Sequence, residues 1–205
     1  MTRIAILGTG AVARTLAGPL VAAGHPVVFG SRRPAGTVPV AGTTVRAAVD
    51  AVAQADVVVN GLPGDVAVEV LAGLPVPAGA VLVDVANAVH TGPDGFAAGL
   101  RYPGSSLAEE LQAALPTARI VKTLNTMHVS LMAHPGAPVT AFLSGDDVDA
   151  KAVTRSLLGD LGWVADQVLD LGGLPTARWV EGFVLAVRPT VRTLGPVPFG
   201  LAIAC

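Results

Sequence analysis

Three small residues near the start of the chain are spaced for phosphate chemistry. Gly8, Gly10 and Ala13 give Gly-x-Gly-x-x-Ala directly after the apolar run Ile4 to Leu7. A short apolar run that stops at glycine reads as a strand buried on both faces. Gly8 then permits a tight turn, Gly10 lets a pyrophosphate approach the backbone of Thr9, Ala11 and Val12, and Ala13 lets the next helix pack closely on the sheet. A helix starting near Ala11 turns unpaired N–H groups and the positive end of its dipole toward the phosphates. The second strand, Pro26 to Phe29, leads into Gly30, Ser31, Arg32 and Arg33. A unit that prefers NAD carries an acid there for the ribose hydroxyls. A hydroxyl and two guanidinium groups instead suit a phosphate on the 2′ oxygen. The unit therefore reads as a site for NADP(H), with Ser31, Arg32 and Arg33 around the extra phosphate.

In a doubly wound sheet, ligands lie outside the carboxyl ends of the strands. The run Val57 to Asn60 ends in Gly61-Leu62-Pro63, which puts Leu62 and Pro63 under the cofactor. The run Ala80 to Val85, interrupted by Asp84, ends at Ala86 and Asn87. Asn87 either faces the nicotinamide or caps a turn. Arg119 to Thr123 leads to Leu124-Asn125-Thr126-Met127-His128. Asn125 suits a hydrogen bond to the nicotinamide or to a second substrate. Met127 could line a flat ring pocket or fill the core. His128 is the best-placed candidate for general acid or base work. Lys122 lies inside a strand and reads as an ion-pair or surface residue rather than a catalytic cation. His25 follows a helix end and reads as structural or solvated. Asp146, Asp147 and Asp149 lack the spacing of a calcium loop and read as a helix start. No metal site and no Ser/His/Asp or Cys/His constellation emerges.

These residues need a scaffold of alternating strands and helices. Helices are predicted over 11–23, 46–55, 65–74, 105–115, 147–161 and 175–193, with Val45 as a short third strand. Further strands are predicted over 139–143 and 164–171. The loop over 33–44 lies beside the adenosine site, and the polar stretch 90–104 reads as a lid or binding loop. The tail from Gly195 to Leu201 is apolar and rich in turns, able to fold back over a ligand or a partner subunit.

The 205 residues carry 13 Lys and Arg against 15 Asp and Glu. A formal charge of −2 gives no electrostatic case for nucleic acid or an anionic membrane. The only cysteine is Cys205, so no disulfide framework forms within one chain, which fits a reducing cytoplasm. The chain is 52% apolar, yet no window has the length and purity of a membrane span. A buried parallel sheet plus a subunit interface accounts for so much apolar surface.

The motifs Ile6-Leu7-Gly8-Thr9-Gly10, Gly30-Ser31-Arg32-Arg33, Val121-Lys122-Thr123-Leu124-Asn125-Thr126, Ser144-Gly145-Asp146-Asp147 and Asp170-Leu171-Gly172 follow one another in a familiar order. With Ala177, Arg178 and Glu181 they make the chain resemble the deazaflavin-dependent NADP reductases (NADPH:coenzyme F-420 oxidoreductases). It is similar, more distantly, to the cytosolic reductase domain of the six-transmembrane metalloreductases. The resemblance implies a Rossmann-type α/β fold with a mostly parallel sheet and helices on both faces. It implies a dinucleotide-binding domain over 1–145 and a small C-terminal segment over 146–205 that packs on the same sheet and helps form the substrate site and dimer interface. It also implies homodimers, a cytoplasmic location, and hydride transfer between stacked nicotinamide and deazaflavin rings, with no obligatory acid or base. Two further readings stay open: a reductase of a small carbonyl or imine metabolite, and a non-catalytic NADP sensor. The tail departs from the family in carrying Pro196 and Pro198 where a Gly-rich stretch is expected beside the deazaflavin.

Overall fold

Each central strand is apolar along most of its length and buried at every position, so both of its faces must be covered. In the computed structural model, which describes residues 1–34, 39–136 and 138–204, β1 (Ile4–Leu7) shows how. Ile4 and Ile6 join one core cluster, and Ala5 and Leu7 join another on the opposite face. The six-stranded sheet is parallel throughout. It comprises β1, β2 (Val27–Ser31), β3 (Thr44–Ala47), β4 (Val57–Asn60), β5 (Val81–Asp84) and β8 (Arg119–Lys122), in the order β3-β2-β1-β4-β5-β8. The order reverses between β1 and β4, and the crevice for a nucleotide opens at such a switch point.

Helices α1 (Ala11–Ala22) and α5 (Val148–Asp160) cover the Ile4 face, through Leu16, Leu20, Leu157 and Leu158. Helices α2 (Ala48–Val52), α3 (Ala67–Ala72) and α4 (Leu107–Ala114) cover the other, through Val52, Leu71, Leu107 and Leu111. This is the doubly wound Rossmann-type architecture. The first core cluster runs from Ile4 to Trp163 and so crosses residue 146 without a break.

Local signals set several boundaries. The Asp147 carboxylate accepts from the Ala150 N–H at 2.7 Å, so this aspartate is a helix cap. Ser106 caps α4 by accepting from the Glu109 N–H at 3.1 Å, and its hydroxyl donates to the Glu109 carboxylate at 2.8 Å. His25 is structural: its Nδ1 accepts from the Thr2 N–H at 3.1 Å and its Nε2 meets Asp160 at 3.0 Å.

Other expectations change. The stretch 90–104 is not a plain loop, because β6 (Val89–Thr91) and β7 (Ala97–Leu100) form an antiparallel hairpin. The helix expected over 46–55 shrinks to α2, since its first residues continue β3 beside β2. The strand expected over 164–171 contracts to β10 (Val168–Asp170), paired in parallel with β9 (Ala141–Leu143) in a separate two-stranded sheet. The last helix divides into α6 (Ala177–Gly182) and α7 (Val184–Leu194). Part of the loop over 33–44, and Cys205, lie outside the described residues. Among the described residues, no helix is long and apolar enough to cross a membrane.

Candidate dinucleotide site and adjoining cavity

The turn after β1 is shaped by contacts that admit no side chain. Gly8 sits at φ +93°, and a Cβ there would lie 2.7 Å from the Gly61 carbonyl oxygen. The same closeness holds in reverse, because a Cβ on Gly61 would lie 2.8 Å from the Leu7 carbonyl oxygen. Gly10 differs. It has φ −75°, and a Cβ there would meet nothing within 4 Å. It heads α1 without a side-chain cap, so first-turn N–H groups stay available to an outside acceptor. Arg14 braces the turn by donating from Nε to the Thr9 carbonyl at 2.8 Å.

At the end of β2, the Ser31 hydroxyl accepts from the Arg33 N–H at 3.0 Å, which curls the chain and leaves Arg32 and Arg33 exposed. At the end of β4, the Asn60 side chain accepts from the Leu62 N–H at 3.2 Å and fixes the turn into Pro63. Gly64 follows because the chain passes the turn after β5 closely: a Cβ on it would lie 2.3 Å from the Asn87 carbonyl oxygen.

Asn87 and Asn125 form a reciprocal pair. The Asn87 Nδ2 donates to the Asn125 main-chain carbonyl at 2.9 Å, and the Asn125 Nδ2 donates to Asn87 Oδ1 at 2.9 Å. The main-chain carbonyl can only accept, so it fixes the orientation of both amides. The Asn125 Oδ1 is thereby left buried with no partner. Its neighbour Leu124 is buried at φ 58°, a left-handed conformation that is rare outside glycine and recurs at functional sites.

A cavity of about 490 Å³ opens against this pair. Val12, Asn87, Asn125, Met127, His128 and Met132 form one side of its wall. Phe96 from the hairpin, Val184, Val187 and Val191 from α7, and Pro196, Val197 and Phe199 from the tail supply much of the rest. The tail reaches it by antiparallel pairing. The His128 N–H donates to the Phe199 carbonyl at 2.8 Å, and the Leu201 N–H donates to the Thr126 carbonyl at 2.9 Å. Gly200 bridges Met127, and a Cβ on it would lie 2.8 Å from the Met127 Cβ. His128 is exposed, and its Nδ1 accepts from the Ser130 N–H at 3.2 Å. A neutral ring held that way keeps its proton on Nε2.

The structure thus gathers Val12, Asn87, Asn125, Met127 and His128 around one cavity. Gly8, Thr9, Gly10, Ala11, Ser31, Arg32, Arg33, Leu62, Pro63 and Ala86 lie outside its lining. Their turns follow the carboxyl ends of β1, β2, β4 and β5. Of the cavity's far wall, the stretch 90–104 and the tail were read from the sequence as candidate ligand covers, but α7 was missed, although Val184, Val187 and Val191 have the spacing of one helix face. The burial of Lys122 was missed as well. Lys122 is an ion-pair residue, but not a surface one: it is 0% exposed, with its ammonium 2.8 Å from Asp84 and 2.9 Å from Glu181.

Fold and turn geometry together define a Rossmann-type architecture with an open helix start at its switch point. A family model described as NADP oxidoreductase, coenzyme F420-dependent, matches residues 3–88. A crystal structure from Arthrobacter sp. FB24, named provisionally as an F420-dependent NADP reductase, is 37% identical. It covers 100% of both chains, with a TM-score of 0.89. A hypothetical protein from Sinorhizobium meliloti is 28% identical over 86% of this chain and 88% of its own, with a TM-score of 0.70. The metalloreductase STEAP3 of Rattus norvegicus is 30% identical over 97% of this chain, which spans 40% of that relative's length. The chain belongs to the F420-dependent NADP oxidoreductase family, and it is an NADP-dependent oxidoreductase.

Proposed function

We propose that the chain transfers hydride between NADP(H) and a deazaflavin or flavin-like acceptor lying in the apolar cavity. The observation that carries this reading is the cavity itself: a space of about 490 Å³ whose wall includes Val12, from the first turn of α1, and Asn125, whose unpaired Oδ1 is buried behind that wall.

The residues present fit the nucleotide. The uncapped start of α1 and the open space over Gly10 suit a pyrophosphate, held by the backbone of Gly8, Thr9, Gly10, Ala11 and Val12. Ser31, Arg32 and Arg33 suit the 2′-phosphate. Leu62 and Pro63, after β4, and Ala86, after β5, would flank the nucleotide between its phosphates and the asparagine pair. The orphaned Asn125 Oδ1 suits a carboxamide N–H, which would satisfy a buried acceptor that otherwise costs about 1–3 kcal/mol. When bound, the nicotinamide supplies a hydride at its C4 carbon. This chain's residues orient that ring and exclude water around it: Asn125 fixes its rotation, while Met127 and the valines of α7 form a dry wall.

A reductase of carbonyl or imine groups is the second reading, and His128 favours it, with an Nε2 proton on the cavity wall. One assay separates the two. NADPH oxidation is expected to require added deazaflavin and to be unchanged in His128→Ala. A loss of about 100-fold or more in His128→Ala, with a small carbonyl or imine as acceptor, supports the second reading instead. No bleaching of the deazaflavin band removes the first.

We further propose that a second copy covers the C-terminal elements, where Trp179, Leu185, Leu194 and Val197 are exposed. Light scattering that shows a monomer at micromolar concentration would remove that proposal. The proposed partners are then a small-molecule acceptor and a second copy, in a reducing cytoplasm.

A further inference from the structure

A buried charge cluster joins the C-terminal segment to the amide pair on the cavity wall. Asp84 and Lys122 are 0% exposed and Glu181 is 4% exposed. The Lys122 ammonium donates to Asp84 at 2.8 Å, lies 2.9 Å from Glu181, and also donates to the Ala86 carbonyl. Two carboxylates against one ammonium leave one formal negative charge. The start of α4 offsets it, because the Leu107 and Ala108 N–H groups donate to Glu181 at 2.9 and 3.4 Å. Burial alone would push the ammonium toward its neutral form, but the two carboxylates outweigh it and hold its pKa above the ordinary lysine value. Such a cluster is an inefficient way to build a core, since desolvating charges consumes much of their attraction.

Its hydrogen bonds lead toward the site. The Asp84 Oδ1 accepts from the Ala86 N–H at 3.2 Å and from the Asn60 amide at 2.8 Å. The N–H and the carbonyl of Ala86 are therefore both anchored to the cluster, and the next residue is Asn87. Gly64 closes in on the Asn87 carbonyl from the other side. Asn87 in turn orients Asn125. Glu181 belongs to α6, which leads directly into α7 and its three cavity-lining valines.

We propose that Lys122, gripped by Asp84 and Glu181, is the positioning residue that sets the Asn87–Asn125 pair and makes nicotinamide recognition depend on the seating of α6. This rests on the reading of Asn125 as the nicotinamide contact. Lys122 does not line the cavity and acts only through Ala86 and the asparagines.

The test is calorimetric titration of the full chain with two probes, NADP⁺ and 2′-phospho-ADP-ribose, which lacks the nicotinamide. The ratio of their affinities reports the nicotinamide contact alone. In the parent, NADP⁺ is expected to bind about tenfold more tightly, equivalent to one good hydrogen bond to a buried group. Asn125→Ala is expected to bring the ratio to about one. Asp84→Asn/Lys122→Met/Glu181→Gln leaves no unpaired buried charge and keeps the volume; it is expected to do the same, with 2′-phospho-ADP-ribose affinity within about twofold of the parent. Glu181→Gln, the mildest change, is expected to lower the ratio about threefold and serves alone if the triple variant does not fold. A parental ratio in folded cluster variants, alongside a collapsed ratio in Asn125→Ala, overturns the positioning role only. A parental ratio in Asn125→Ala, or a ratio of one in the parent, overturns the nicotinamide reading and this proposal with it. Equal weakening of both probes in the cluster variants means a merely structural cluster and also overturns it.

Discussion

Two glycines of one motif do different work, and substitution separates them. Gly8 answers to the fold: its positive φ and the nearby Gly61 carbonyl leave no room for a methyl group. Gly8→Ala is expected to cost about 1–3 kcal/mol, read as a lower denaturation midpoint at unchanged slope. Nothing in the protein opposes a Cβ at Gly10, so the proposed nucleotide is what would require a glycine there. Gly10→Ala is expected to keep the parental midpoint within about 1 kcal/mol while weakening NADP⁺ about tenfold or more by calorimetry. A destabilised Gly10→Ala with undiminished binding would mean that the first turn of α1 does not face phosphates. The tight turn at Gly8 was legible in the spacing of the sequence. The orphaned Asn125 oxygen was not, because it exists only through the Asn87 side chain, contributed by the turn after β5.

Elements were legible where local pattern and tertiary role agree. The apolar runs of β1, β4, β5 and β8 and the capped helices α4 and α5 stand where the sequence put them. The β6–β7 hairpin was hidden because its strands are three and four residues long and carry His90, Thr91 and Gly99 rather than an alternating pattern. Its support comes from far along the chain: α7 packs on β7, and Arg188 reaches Asp94 at 2.7 Å. Lys122 looked equally suited to solvent or to an ion pair, and only the convergence of β5, β8 and α6 decides between them. The tail was legible as apolar, and its pairing with residues 126–128 gives it a task. Gly200→Val would place its side chain against Met127 and Val139, and is expected to lift the tail from the cavity. The KM for the acceptor should then rise about tenfold or more while NADPH affinity holds. A parallel loss of both would mean that the tail supports the nucleotide itself.

For the whole molecule, ionisation predicts where stability fails. Arg3 donates to the Asp56 carboxylate at 2.6 and 3.1 Å, and Arg178 donates to Glu109 at 2.6 and 2.8 Å, which holds both acids below their ordinary range. Burial would raise Asp170, but the Gly172 N–H and Lys151 overcome it and hold it low as well. A depressed acid stabilises the fold above its unfolded value and loses that contribution as pH falls through its folded one. Lys122 is raised, so its contribution is complete below the ordinary lysine value and is lost as pH rises from there through its folded one. These four groups therefore add no slope between about pH 5 and 10, and stability should fall below about pH 4. Denaturant midpoints that rise between about pH 5 and 3 would contradict those pairings. The central claim, that the opening βαβ unit binds a nicotinamide dinucleotide through its extra phosphate, is tested most directly by titrating the chain with NADPH and with NADH in a calorimeter. NADPH is expected to bind about tenfold or more tightly than NADH, with Arg32→Ala closing most of that gap. No heat with either nucleotide would contradict the claim outright.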